Sequence, residues 1–161
     1  MVKREDGRDP VPISELLSYR LSRTSSALSR SAALRYRREF DVSLGEWRTI
    51  ALIAADPTLT LNRLARRAGL DKAQMSRVVR GLVERGFVNR TEGAGRSRQL
   101  ALTESGVEVY RGLIGAANER DEAFAAALTA SEVRALESAL EKLADLALSL
   151  EREERDRLDD A

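Results

Sequence analysis

Apolar residues recur along this chain at helical spacing, interrupted where caps, glycines and prolines fall. Residues 1–12 are polar, contain Pro10 and Pro12, and read as a flexible arm. Ile13, Leu16, Leu17, Leu21 and Leu28 then open a helix predicted to run to about Glu39. Ser43 stands where an N-cap is needed for a second helix, carrying Trp47, Ile50, Ala51 and Ala54 to an Asp56-Pro57 stop. Thr60 caps a short third helix in which Leu61, Leu64, Ala65 and Ala68 follow the i, i+3, i+4, i+7 pattern, and Gly69 ends it as a left-handed residue would. Asp71 caps a fourth, with Met75, Val78, Val79, Leu82 and Val83 on its apolar face and Gly86 as its stop.

The period then changes. Phe87 to Arg90 and Arg98 to Leu102 flank the turn-rich Glu92-Gly93-Ala94-Gly95, which predicts a small β-hairpin. Thr103 opens a fifth helix with Val107, Tyr110, Leu113, Ile114, Ala117, Phe124 and Leu128. The run Thr129-Ala130-Ser131-Glu132 fits a capping box, so a sixth helix starts there. Its Val133, Leu136, Leu140, Leu143, Ala147 and Leu150 alternate in steps of three and four, a heptad seam just over two repeats long. The charged tail, residues 151–161, is expected to fray.

Composition narrows the chemistry. The 161 residues suit one domain or one subunit of a small oligomer, and 43% hydrophobic content suffices for a core. With no cysteine and no histidine, disulfides, thiol redox switching, Cys/His metal sites and histidine-based nucleophilic catalysis are excluded. The longest apolar run, Ile50 to Ala55, is far short of a membrane span, and no apolar signal segment follows the charged start. A cytoplasmic protein with no membrane partner and no cofactor is expected.

The net charge of +1 averages over unlike segments. Residues 60–100 hold ten Lys/Arg against three Asp/Glu, whereas residues 101–161 hold seven against fifteen. A basic middle beside an acidic end points to a polyanion at one face. Within the basic middle, LARRAGLDKAQMSRVV has helix-turn-helix spacing. Small Ala65 lets two helices approach, Gly69 turns the chain, and Met75 and Val78 dock the second helix. That leaves Lys72, Ala73, Gln74, Ser76, Arg77 and Arg80 facing outward. Gln74 has the groups to pair with adenine, Arg77 with guanine and Ser76 with either, while Lys72 and Arg80 suit phosphates. Arg96 at the hairpin tip, with Arg90 and Arg98 nearby, can reach an adjacent minor groove. Two such helices are needed for a pseudo-palindromic double-stranded operator, and the leucine stripes of the first and sixth helices offer area to join two copies.

With those residues in place, the chain resembles the multiple antibiotic resistance regulator (MarR) family of bacterial winged-helix repressors. The likeness runs from about Ile13 to Leu150, and LARRAGLDKAQMSRVVRGLVERGFVNR and RSRQLALTESG carry it most specifically. The resemblance implies a mainly α fold with a β-hairpin wing, and a homodimer built from the first, fifth and sixth helices. It also implies repression relieved by a small aromatic or phenolic ligand. On this reading residues 13–42 form an N-terminal dimerisation helix, 43–102 the winged helix-turn-helix lobe and 103–150 the C-terminal dimerisation helices. One departure stands out: the family usually has Asp two residues before the wing arginine, and here Ala94 precedes Arg96.

Tyr19, Arg23 and Trp47 are the effector candidates, the arginine pairing with a carboxylate and the aromatics stacking on a ring. Core packing is the simpler reading of Trp47, and a solvated or dimer-face role that of the other two. An enzyme finds little support: Gly93-Ala94-Gly95 leads into a strand, not a helix that could present its amino end to a phosphate. A non-specific nucleoid-type binder and a helical protein-interaction module remain as alternatives.

Overall fold

The computed structural model describes residues 11–56, 58–92 and 98–159. Six helices and one hairpin follow in order: α1 (Leu17–Phe40), α2 (Leu44–Ala55), α3 (Leu61–Ala68), α4 (Lys72–Glu84), β1 (Val88–Glu92), β2 (Arg98–Leu102), α5 (Glu104–Ala126) and α6 (Ala130–Asp159). This is the expected winged-helix fold, mostly helical with a two-stranded antiparallel wing. The chain divides into two compact units, one ending at Ala116 and the other beginning at Ala117.

The helix starts are built locally. Ser43 and Glu46 form a reciprocal capping box on α2: the Glu46 N–H donates to Ser43 Oγ (3.2 Å) and the Ser43 N–H to Glu46 Oε2 (2.7 Å). Thr60 accepts the Arg63 N–H at the start of α3, and Asp71 accepts the Gln74 N–H at 2.7 Å at the start of α4. Thr129 and Glu132 make the box that opens α6. Gly69, at φ 65°, lets the chain leave α3 in the left-handed region while the Leu70 N–H reaches back to Ala65 O at 3.0 Å.

Two boundaries differ from the sequence expectation. Ile13–Glu15 form a separate 3-10 turn, since Leu16 is extended (φ −65°, ψ 127°) and α1 begins only at Leu17. The tail expected to fray is helical to Asp159. Glu151 with Arg155 (2.6 Å) and Glu154 with Arg157 pair one turn apart, and these i,i+4 and i,i+3 contacts support a helix that has no core to lean on. The arm over residues 1–10, Pro57 and the hairpin tip over 93–97, including Ala94 and Arg96, lie outside the described residues.

The first unit has one apolar core. Tyr36 of α1, Ile50 and Ile53 of α2, Leu64 and Ala65 of α3, Met75, Val79 and Leu82 of α4, Val88 and Leu100 of the wing and Leu113 of α5 are all buried in it. The strands pair Val88 with Leu102, Arg90 with Leu100 and Glu92 with Arg98. Thr60, just ahead of α3, bridges to Gln99 and attaches the wing to the helix-turn-helix. In the second unit, by contrast, no described residue is buried. Leu136, Leu140, Leu143 and Leu150 of α6 are each at least 36% exposed.

Candidate nucleic-acid interface

α4 has two unlike sides. Met75, Val79 and Leu82 are fully buried, whereas Lys72, Ala73, Gln74, Arg77 and Arg80 are exposed. Its amino end is open apart from the Asp71 cap, so backbone N–H groups and a basic surface point outward together. Ser76 departs from the sequence expectation. It is half-buried and lines a small crevice of about 150 Å³ with Leu61, Val79, Arg90 and Leu100. The reason is the helical period: Ser76 lies three residues before buried Val79 and so shares its side. Arg90 is exposed on β1, opposite Leu100. Arg98 opens β2, and Arg96 falls in the undescribed tip.

The basic residues of this lobe divide into two groups. Arg63 (3.7 Å) and Arg67 (3.3 Å) turn to Asp56, whose carboxyl is held below its usual range by the Thr58 hydroxyl and N–H, with help from both arginines. Lys72, Arg77, Arg80 and Arg90 form no ion pair among the described residues. Their charge is available to a partner.

Arg85 was not singled out by its sequence pattern, yet it is the most heavily bonded of these cations. Its guanidinium donates to Glu46 Oε1 (3.1 Å) and to the Asp41 carbonyl oxygen (2.8 Å), and it covers the Phe87 ring at 4.8 Å. Burial pushes the Glu46 carboxyl up, but the Ser43 N–H and hydroxyl and the Arg85 charge outweigh it and leave the group below its ordinary value. Asp41 itself closes α1 in the left-handed region, at φ 51°.

The effector candidates do not assemble within one chain. Trp47 is half-buried between Tyr36 (ring centroids 5.7 Å apart) and Tyr110 (6.2 Å). Tyr19 and Arg23 are exposed one turn apart near the other end of α1. At 1.5 Å per residue they stand about 25 Å and about 20 Å along the axis from Tyr36, too far to share a small ligand with Trp47.

A helix-turn-helix followed by a hairpin, with the exposed face of its second helix basic, is the arrangement that the comparisons meet. The MarR family model matches residues 40–99. A MarR/EmrR regulator from Acinetobacter sp. ADP1 superposes with a TM-score of 0.76 at 24% identity, covering 85% of this chain and 98% of that one. Residues 40–99, from the end of α1 into β2, are similar to the MarR family. Another MarR-fold relative, Staphylococcus aureus MepR in complex with DNA, matches with a TM-score of 0.75 at 19% identity over 82% of this chain and 98% of its own. A Mycobacterium tuberculosis MarR-family protein in complex with p-aminosalicylic acid matches at 27% identity and TM-score 0.65, over 80% and 98%. No curated protein matches the chain. Among the described residues no helix is long and apolar enough to cross a membrane.

Proposed function

We propose that this chain is a DNA-binding transcription regulator of the MarR family and not an enzyme, a homodimeric repressor that reads a pseudo-palindromic operator and is released from it by a small aromatic ligand. The observation that carries the DNA reading is the outer side of α4, where Lys72, Gln74, Arg77 and Arg80 stand exposed opposite a fully buried Met75, Val79 and Leu82. Gln74 and Arg77 serve as base readers in the major groove, and Lys72, Arg80 and the helix amino end hold phosphates. Ala73 allows the backbone to approach. Ser76, turned toward the crevice beside Arg90, acts at the edge of this face. Arg90, Arg96 and Arg98 extend the contact into the minor groove.

The dimer reading is supported by leucines exposed on α1 and α6, Leu17, Leu21, Leu136, Leu140 and Leu143 among them. The ligand reading is supported by the relative that holds p-aminosalicylic acid. On this chain it divides between Trp47 and the Tyr19–Arg23 pair. The test is fluorescence anisotropy against duplex from the chain's own upstream region and a scrambled duplex, at about 150 mM salt. Binding to the first at least about 1,000-fold tighter than to the second is expected of a specific regulator. Equal binding to both would establish a non-specific binder instead, and no binding at any salt would leave a helical interaction module.

A further inference from the structure

We infer that Arg85 is a positioning residue for DNA recognition: it locks the end of α4 and the root of the wing to the α1–α2 corner, so that the recognition helix and wing meet DNA as one rigid piece. This rests on the DNA-reading role proposed for α4. Arg85 is the C-cap residue of α4, directly after Glu84, and β1 begins three residues later. Two of its partners, Glu46 and Asp41, come from about 40 residues earlier in the chain. Glu46 Oε1 lies at 3.1 Å on the first turn of α2, the Asp41 carbonyl at 2.8 Å closes α1, and the Phe87 ring at 4.8 Å leads into β1. One planar guanidinium therefore ties four elements together.

The geometry asks for arginine specifically. The two bonds use different guanidinium nitrogens, Nη1 toward Glu46 and Nη2 toward Asp41, while the flat face of the group covers the ring. A lysine ammonium is a single point without a planar face, and it cannot hold that fork. Arg85 is also set apart by its exposure. Its side chain is 29% exposed and Glu46 is 16%, whereas Arg63 and Arg67, paired to Asp56, are 53% and 51% exposed. Ion pairs shielded to this degree hold geometry in a way that exposed ones do not.

The same corner is stitched from its other side. The Gly86 carbonyl accepts the hydroxyls of Thr103 (2.6 Å) and Ser105 (2.9 Å), and the Phe87 carbonyl accepts the Thr103 N–H (3.1 Å). The start of the wing is thus held between the first turn of α5 and the Arg85 bridge. Releasing the bridge removes the tie of the wing root to the α1–α2 corner and leaves the core face of α4 in place.

The experiment compares the full-length protein with Arg85→Ala, Arg85→Lys and Glu46→Gln. The last keeps a capping side chain on α2 and removes the nearer of the two carboxylate charges that Arg85 meets, the other being Asp41 Oδ2 at 3.5 Å. Two readouts are taken: anisotropy on the specific and scrambled duplexes, and hydrogen exchange of the 86–92 and 98–103 segments. Arg85→Ala is expected to weaken specific binding about tenfold, the scale of a lost charge-assisted bond, and to leave the scrambled duplex within about twofold. Exchange should speed up in both wing segments and stay unchanged in α3. Arg85→Lys should fall between Ala and wild type, and Glu46→Gln should shift both readouts in the same direction as Ala.

Unchanged exchange at the wing root, or full rescue by lysine, overturns the assignment. So does an equal loss on both duplexes, which would make Arg85 a phosphate contact or a global stability residue. A wild-type protein that fails to distinguish the duplexes refutes the underlying DNA reading, and in that case the exchange data alone decide whether Arg85 fixes the wing. If Arg85→Ala does not fold, Glu46→Gln carries both readouts.

Discussion

Three glycines on helices in the first unit make a graded test of how closely the wing root approaches α5. At Gly106, on the first turn of α5, a Cβ would stand 2.0 Å from the Phe87 carbonyl oxygen and 2.9 Å from its carbonyl carbon. These are backbone atoms, so no rotamer change relieves the overlap. Relief requires the wing root to move away from α5, at the expense of bonds from Thr103 and Ser105 to the Gly86 and Phe87 carbonyls. Losing two of these three bonds costs about 2 kcal/mol, overpacking strain adds about 1–3 kcal/mol, and alanine's helix propensity returns about 1 kcal/mol. Gly106→Ala should therefore cost about 2–4 kcal/mol net.

Gly81 gives the opposite sign. It lies inside α4 with nothing within 4 Å of a Cβ, so Gly81→Ala should stabilise by about 0.8–1.0 kcal/mol. Gly112 falls between them, because its Cβ would meet the Phe40 ring at 2.5 Å, and a ring edge can lean where a backbone carbonyl cannot. Urea titrations by circular dichroism at one protein concentration measure all three, since the apparent stability of the proposed dimer would depend on concentration. In melting temperature the spread runs from about +2–4 °C for Gly81→Ala to a loss of roughly 5–15 °C for Gly106→Ala. A Gly106→Ala protein as stable as Gly81→Ala would refute the close approach and the rigid wing root with it.

Four further outcomes follow from the same geometry. Glu46 has its carboxyl below the ordinary value, so its contribution is complete above about pH 4.3 and is lost as pH falls toward the lower folded value; acid titration of Glu46→Gln should be flatter in that window. Thr103→Ala removes a hydroxyl that donates to Gly86 O and accepts the Gly106 N–H at 3.0 Å; a loss of about 1–2 kcal/mol in urea titrations, recovered by Thr103→Ser, is expected. Gln74→Ala and Arg77→Ala should each cost about 1–3 kcal/mol of discrimination at a single base position, and an equal loss on every sequence would remove them from base reading. Leu140→Glu places a charge on the uncovered α6 stripe and should shift light-scattering mass from dimer to monomer; an unchanged mass would move the interface elsewhere.

Much of this fold is legible because its determinants are local. Ser43, Thr60, Asp71 and Thr129 each satisfy an N–H three residues away, and Gly69 turns the chain where only a left-handed residue fits. A periodic pattern with a polar cap thus fixes a helix start without knowledge of anything distant. The strand edges were less clear. The first strand was expected to end near Arg90 and runs to Glu92, because pairing depends on Gln99 and Arg98 across the turn. The tail was misjudged for a related reason: its acidic and basic residues were read as a charge block, when their three- and four-residue spacing is what keeps them helical.

Charge shows the limit most clearly. Counting gives residues 60–100 an excess of seven positive charges, and that number alone cannot say which of them a partner would meet. Arg85 lies in the same run as Arg77 and Arg80, and nothing within four residues of it announces Glu46 or Asp41. Only the fold separates cations that pair with carboxylates of the lobe from those that remain unpaired among the described residues. Arg63, Arg67 and Arg85 are committed inside the lobe, while Lys72, Arg77, Arg80 and Arg90 are exposed and unpaired among the described residues. The outward group clusters on α4 and the wing; in the paired group Arg85 ties the end of α4 to the α1–α2 corner, and Arg63 and Arg67 tie α3 to the end of α2. On the proposed DNA reading the same residue type performs both jobs of a recognition lobe, contact and alignment, and the presence of a nearby carboxylate decides which one each arginine takes.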